Sequence, residues 1–262
     1  MDPGLRTAAT GMVAQQKRVE VIANNLANVN TTGFKRSRAQ FEDLLYQMLQ
    51  APTTVDGAGA QGTAGIQVGR GTRLSAVQRI EGQGALEQTD NPLDIAIDGE
   101  GHFAVIMPDG SMAYTRDGSF SISDQGMLVT SAGYPLEPGI TIPQDAQQLA
   151  ISRTGIVTVV MDSSGEPIEI GRIELVRFAN SAGLRAMGEN LHAESVASGE
   201  AMIGFAQEDG FGRVIQGALE SSNVEVVQEM VDMISALRAY EVNSKAVQSS
   251  EEMSQMTNAL LR

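Results

Sequence analysis

The first and last segments of the chain each carry a narrow apolar stripe at heptad spacing, and a stripe of that shape must be covered by another helix. Near the start, Leu5, Ala8, Met12, Gln15, Val19, Ile22, Leu26 and Val29 step by 3, 4, 3, 4, 3, 4 and 3 residues, with Gln15 the one polar member. Asp2-Pro3 reads as the helix start, since Asp can cap free amides and Pro fits the first helical position. Near the end, Val226, Met230, Met233, Leu237, Tyr240, Ser244 and Val247 step by 4, 3, 4, 3, 4 and 3. Past Ser249 the apolar residues change phase to Met253, Met256 and Leu260, a stutter that alters supercoiling locally. Ser221-Ser222-Asn223 supplies the cap region of this second helix. The alternation of three and four marks helix-to-helix packing rather than mere amphipathicity. The two rods would be about 40 and about 60 Å long. Neither can bury its seam alone, so both ends of an isolated chain are expected to be largely unfolded.

The charge distribution fits two ends that meet. Net charge is −14, yet residues 1–38 carry six bases against two acids and the last forty carry six acids against three bases. Strong overall acidity argues against a general nucleic-acid binder. No apolar run approaches the roughly 20 residues of a membrane helix, and Met1–Arg18 shows neither an apolar signal core nor a cleavage site.

Between the helices the periodicity turns to two. Ile95, Ile97, Phe103, Val105, Phe120, Ile122, Leu128, Val129, and the runs Ile156–Met161 and Ile168–Phe178 are β-type. Turns such as Pro108-Asp109-Gly110, Asp117-Gly118 and Asp124-Gln125-Gly126 punctuate them, so an antiparallel β domain is expected over residues 89–198. Residues 50–65 are rich in Gly, Ala and Thr and read by themselves as a linker.

Sites for chemistry are scarce. Cysteine is absent, which excludes disulfides and thiolate metal centres. His102 and His192 are far apart in sequence, against a histidine metal site. Gly99-Glu100-Gly101 is not followed by a dinucleotide-binding pattern, and no nucleophile elbow or H-E-x-x-H is present. Asp90, Asp94, Asp98 and Glu100 form an acidic cluster. A solvated strand face is the expected reading, and a carboxylate pair for glycan hydrolysis at Asp94 and Asp98 is the alternative. His102 is expected to be a half-exposed strand residue. No catalytic residue, cofactor, metal, small-molecule substrate or nucleic acid is expected.

One polar stretch, NNLANVNTTGFKR at 24–36, holds the last two seam positions, Leu26 and Val29, and runs on past them. Asn24, Asn25, Asn28 and Asn30 lie off the seam, Asn tolerates the left-handed geometry of a helix end, and Gly33 suits a terminating turn.

Ala23-Asn24-Asn25-Leu26-Ala27-Asn28 followed by Thr32-Gly33-Phe34-Lys35 resembles the N-terminal signature of bacterial flagellar rod and hook proteins. ESSNVEVVQEMVDMISALRAYEVNSKAVQSSEEM (220–253) resembles the matching C-terminal end, and NPLDIAIDGEGHFAV and AYTRDGSFSISDQGMLVTSAGYPLEP are similar to the β domain of that family. The likeness spans the whole chain. FEDLLYQ and GIQVGRG are nearer to distal-rod members than to proximal ones, and the length is short for a hook subunit. His102 stands where the family usually has an aromatic, which is expected to be a tolerated surface change.

The resemblance implies an α+β fold with three parts. The terminal helices, 1–30 and 224–262, pair as a coiled coil in an inner domain. Residues 31–88 and 199–223 make an intermediate domain, with an extended β-hairpin at about 46–66 in place of a free linker. The β domain at 89–198 is outermost. It implies a structural subunit, not an enzyme, that polymerises helically into a hollow shaft carrying torque and forming an export channel. Subunit packing would fall on Leu5, Met12, Val19, Ile22, Leu26, Val29, Met230, Met233, Leu237 and Tyr240. Asn24, Asn25, Asn28, Gly33 and Phe34 would form a joint where the inner helix ends. Implied partners are further copies of the chain, proximal rod proteins, hook or hook-junction protein, the surrounding outer-membrane and peptidoglycan ring proteins, and the flagellar type III export apparatus. The implied location is the periplasm-spanning part of the basal body, reached without a cleaved signal peptide. A proximal rod or hook subunit, a glycan hydrolase, and a coiled-coil binding module that does not polymerise are the alternatives.

Overall fold

The computed structural model describes residues 3–50, 65–143, 145–161 and 167–260. The chain is α+β, with one helix near each end and mostly antiparallel sheets between them. It divides into two units. One holds the described parts of Met1–Leu26, Ser37–Gln78 and Glu225–Arg262, and the other holds Ala27–Arg36 with Arg79–Val224.

In the first unit, α1 spans Pro3–Ala27 and α2 spans Val226–Leu260. Strands β1 (Ser37–Asp43), β2 (Tyr46–Gln50), β3 (Ile66–Gly69) and β4 (Thr72–Arg79) lie between them in sequence. β1 is hydrogen-bonded to β4, and β2 pairs with β3 antiparallel from Tyr46↔Gly69 to Gln50↔Ile66. β2 and β3 flank the segment expected as a hairpin at about 46–66, of which residues 51–64 lie outside the described residues. α1 turns a thin line of small and apolar side chains inward, with Ala14 and Ile22 buried. No helix among the described residues is long and apolar enough to cross a membrane.

The second unit begins with β5 (Leu86–Gln88), β6 (Ile95–Asp98), β7 (His102–Ile106), β8 (Met112–Thr115), β9 (Phe120–Ile122) and β10 (Leu128–Thr130). It continues with β11 (Ala146–Ile151), β12 (Ile156–Met161), β13 (Pro167–Arg172), β14 (Glu174–Arg177), β15 (Arg185–Gly188), β16 (Leu191–Ala193), β17 (Met202–Phe205), β18 (Arg213–Gln216) and β19 (Ala218–Glu220). The largest sheet has the order β15-β16-β8-β7-β14-β17. Its inner strand β7 sends Phe103 and Val105 into one apolar cluster with Ile95, Ile97, Leu136, Val157 and Leu175. Ala104 faces a smaller cluster with Tyr114, Val176 and Phe178. Each of the larger side chains contributes about 1.5–3 kcal/mol by leaving water.

That geometry corrects the expectation for His102. It is buried, not half-exposed, because β7 is paired on both edges and covered on both faces. Its ring meets Phe178 edge to face at 6.0 Å, and burial holds its pKa well below 6.5, so the imidazole is neutral. An aromatic would suit the same pocket.

Candidate functional site

Two features stand out: the surfaces of the helix pair in the first unit, and the polar segment after α1.

The two helices touch through polar and small residues. Arg18 Nη2 lies 2.9 Å from Asp232 Oδ1, and Asn25 Nδ2 donates to Glu229 Oε2 at 3.2 Å. A Cβ added to Gly11 would fall 3.1 Å from the Asn243 side-chain amide. As α1 numbers fall, α2 numbers rise, so the helices run antiparallel. On α2 the inward positions are Glu229 and Ala236, both buried. The heptad positions lie on the flank of this face. On α1, Ile22 is buried and Leu5, Met12, Val19, Leu26 and Val29 are half-buried. On α2, Met233 is half-buried, while Met230, Leu237 and Tyr240 are exposed by 51 %, 46 % and 41 %. Further round the same helix Val227, Val231 and Ile234 are also exposed.

Several residues at the end of α1 and just beyond it are held by bonds inside the chain. Asn25, in the first unit, is fully buried: its amide donates to Ser37 O at 2.8 Å and accepts from Ser37 N–H at 2.8 Å. One side chain thus satisfies both backbone groups of the residue that opens β1. Asn24 is exposed and Asn28 half-buried, and Thr31 Oγ1 donates to Asn28 Oδ1 at 3.2 Å.

Gly33 and Phe34 belong to the second unit. Gly33 has φ of +68°, its N–H donates to Glu220 O at 2.7 Å, and an added Cβ would lie 2.8 Å from the Arg116 carbonyl carbon. Both the conformation and the space demand glycine. Phe34 is half-buried, and its carbonyl accepts from Asn223 N–H at 3.3 Å.

The next residue is the one sequence reading missed. Lys35 is buried, with Nζ 2.5 Å from Glu220 Oε1 and 2.9 Å from Gly82 O. Glu220 Oε1 also accepts from Gly84 N–H at 2.9 Å, and Glu220 Oε2 lies 3.2 Å from Arg116 Nη1. Arg116 Nη2 donates to Gly99 O at 2.7 Å. Two cations therefore share one buried carboxylate. Burial lowers the Lys35 pKa from 10.5, and the Glu220 charge opposes that shift. Nothing in the spacing of 35, 116 and 220 could have announced the trio, since each is an ordinary charged residue next to a turn.

The acidic cluster disperses. Asp98 pairs with Arg213 at 2.7 Å, Glu100 lies 3.7 Å from Arg177, Asp94 accepts from Asn91 Nδ2 at 2.9 Å, and Asp90 sits in a positive-φ turn accepting from Gln88. Each carboxylate answers a different partner, so no poised acid–base pair is formed. Among the described residues no group of three or more His, Asp or Glu is placed to hold a metal.

Known proteins are similar to this chain in sequence along its whole length. Residues 5–35 match the family described as flagella basal body rod protein, 96–159 the flagellar hook protein FlgE/F/G D1 domain, and 215–260 the flagellar basal body rod FlgEFG protein C-terminal. Flagellar basal-body rod protein FlgG of Caulobacter vibrioides is 48% identical, covering 98% of each chain. The proteins of that name from Borreliella burgdorferi and Agrobacterium fabrum are 50% and 44% identical, over 98% of this chain and 98% and 99% of their own. The chain belongs to the flagellar basal-body rod and hook family, whose members are structural proteins and not enzymes. Within that family it is a structural subunit of the flagellar distal rod, a part of the basal body.

Proposed function

We propose that this subunit polymerises helically into a hollow shaft that transmits torque to the hook and encloses the export channel. The observation that carries the reading is the exposed apolar surface of α2. Val227, Met230, Val231, Ile234 and Leu237 stand in water along one side, and Met253 and Met256 do so at the far end. A 35-residue helix with so much apolar surface in the open along one broad side is built to be covered further. Heptad positions left on the flank of the helix pair leave coiled-coil packing to helices of neighbouring copies as well as within one chain. Different surface patches meeting head to tail do not close, and such contacts make filaments.

In this reading the three-part division at 1–30 with 224–262, 31–88 with 199–223, and 89–198 corresponds to inner, intermediate and outer layers. Residues 24–36 are the joint where the inner helix ends. The partners are further copies, proximal rod and hook or hook-junction proteins, the surrounding rings, and the type III export apparatus that delivers the chain through the growing rod's own channel to its periplasm-spanning position. Electron microscopy of concentrated pure protein, together with a cryo-electron map of isolated basal bodies, tests it. Filaments with a central channel and matching rod density are expected; a chain that stays monomeric at all concentrations and is missing from the rod density would overturn it.

A further inference from the structure

Within the first unit, α1 and β4 enclose a groove of about 320 Å³ floored by Ala9, Val13, Ala14 and Leu74. Arg6, Lys17 and Arg73 rim it. Val13 is 58 % exposed there, so the groove is open and apolar. Lys17 and Arg73 are paired with Glu20 and Glu42, which leaves the rim with one cation in excess.

A second observation names the occupant. Asn25 meets Glu229 and Gly11 lies against Asn243, so the same antiparallel spacing sets Pro3 opposite α2 near residue 251, to within about one turn. The last residues of α2 therefore run about 13 Å beyond the described start of α1. Among the described residues, nothing in the helix pair lies opposite this overhang. On it Glu252, Met253 and Met256 form one contiguous exposed patch, two flexible thioethers beside a carboxylate. Methionine adapts to shallow, irregular apolar surfaces, and the carboxylate complements the cationic rim.

We infer that the α1–β4 groove receives the α2 overhang of a second copy, with Met253 and Met256 against Val13 and Leu74 and Glu252 toward Arg6. This rests on the polymer reading above and gives it a particular head-to-tail contact. Groove and overhang are different patches of one chain, so the contact is heterologous and propagates.

The chain has no native cysteine, which makes the test direct. In the Val13→Cys/Met256→Cys variant, mild oxidation of assembled filaments should give a ladder of disulfide-linked oligomers, whereas each single variant should not go beyond dimers. Independently, Arg6→Glu and Glu252→Arg should each raise the critical concentration for assembly roughly 5-fold, and their combination should restore it. Filaments of normal critical concentration with no ladder and no charge effect would overturn the groove assignment while leaving polymerisation intact. Failure of the unmodified chain to assemble would remove both.

Discussion

Replacing Glu220 should unfold the second unit more readily than replacing either of its partners. Glu220 and Lys35 have side chains only 1% and 3% exposed, and Arg116 is 9% exposed. Glu220→Ala leaves both cations buried without their anion and also strips Gly84 N–H of its acceptor. Breaking a buried ion pair from one side costs about 3–5 kcal/mol, and an orphaned buried donor adds about 1–3. Since domains are stable by about 5–15 kcal/mol, the loss approaches the whole stability of a modest domain. Lys35→Met should behave differently. It keeps the apolar stem, leaves Glu220 balanced by Arg116 and Gly84, and leaves the Gly82 carbonyl its bond from Asn223 Nδ2 at 2.8 Å, so only the lost charged hydrogen bond, roughly 1–3 kcal/mol, is expected. Equilibrium urea unfolding of the full chain, followed by circular dichroism and checked by calorimetry, measures both. The reasoning is refuted if Glu220→Ala lies within about 1 kcal/mol of the parent, or if Lys35→Met costs as much as Glu220→Ala.

Four further outcomes are expected. Burial, reinforced by Arg79 at 3.0 Å, lowers the His192 pKa from 6.5 to about 4, so the folded state refuses a proton that the unfolded chain accepts. Stability present above pH 6.5 is therefore lost as pH falls toward about 4, by about 2–3 kcal/mol, and His192→Gln should flatten much of that slope in a pH series of melts. Gly33→Ala should cost at least about 1–2 kcal/mol from its left-handed backbone alone, read from the same melts, and more from the contact with Arg116. Asn24→Leu with Asn28→Leu should impair rod assembly more than monomer folding; normal rods in basal-body preparations would contradict the joint. Limited proteolysis of residues 50–65 should be slower in assembled rods than in monomer, and equal rates would argue against an ordered hairpin there.

Much of the fold was legible because period is a local property. The heptad steps of residues 5–29 and 226–247 specify helices that form once their seams are covered, and the alternation around Ile95, Phe103 and Leu175 specifies strands. The motif 24–36 announced a helix end, since Asn and Gly have few other reasons to follow a seam in that order. Which helix face meets which was not legible: the seam implies a partner, but α2 turns Glu229, Ala236 and Asn243 toward α1 and leaves Met230 and Leu237 outside. The role of Asn25 depended on where β1 begins in space, and the burial of His102 on β7 being paired at both edges. Lys35, Arg116 and Glu220 are separated by 81 and 104 residues, and only the closing of the second unit makes one carboxylate answer two cations. Sequence by itself determined the elements and their need for company, because dihedral preference and apolar period act over a few residues. The tertiary structure decided which charges are buried together, because desolvation exists only once distant segments have excluded the water between them.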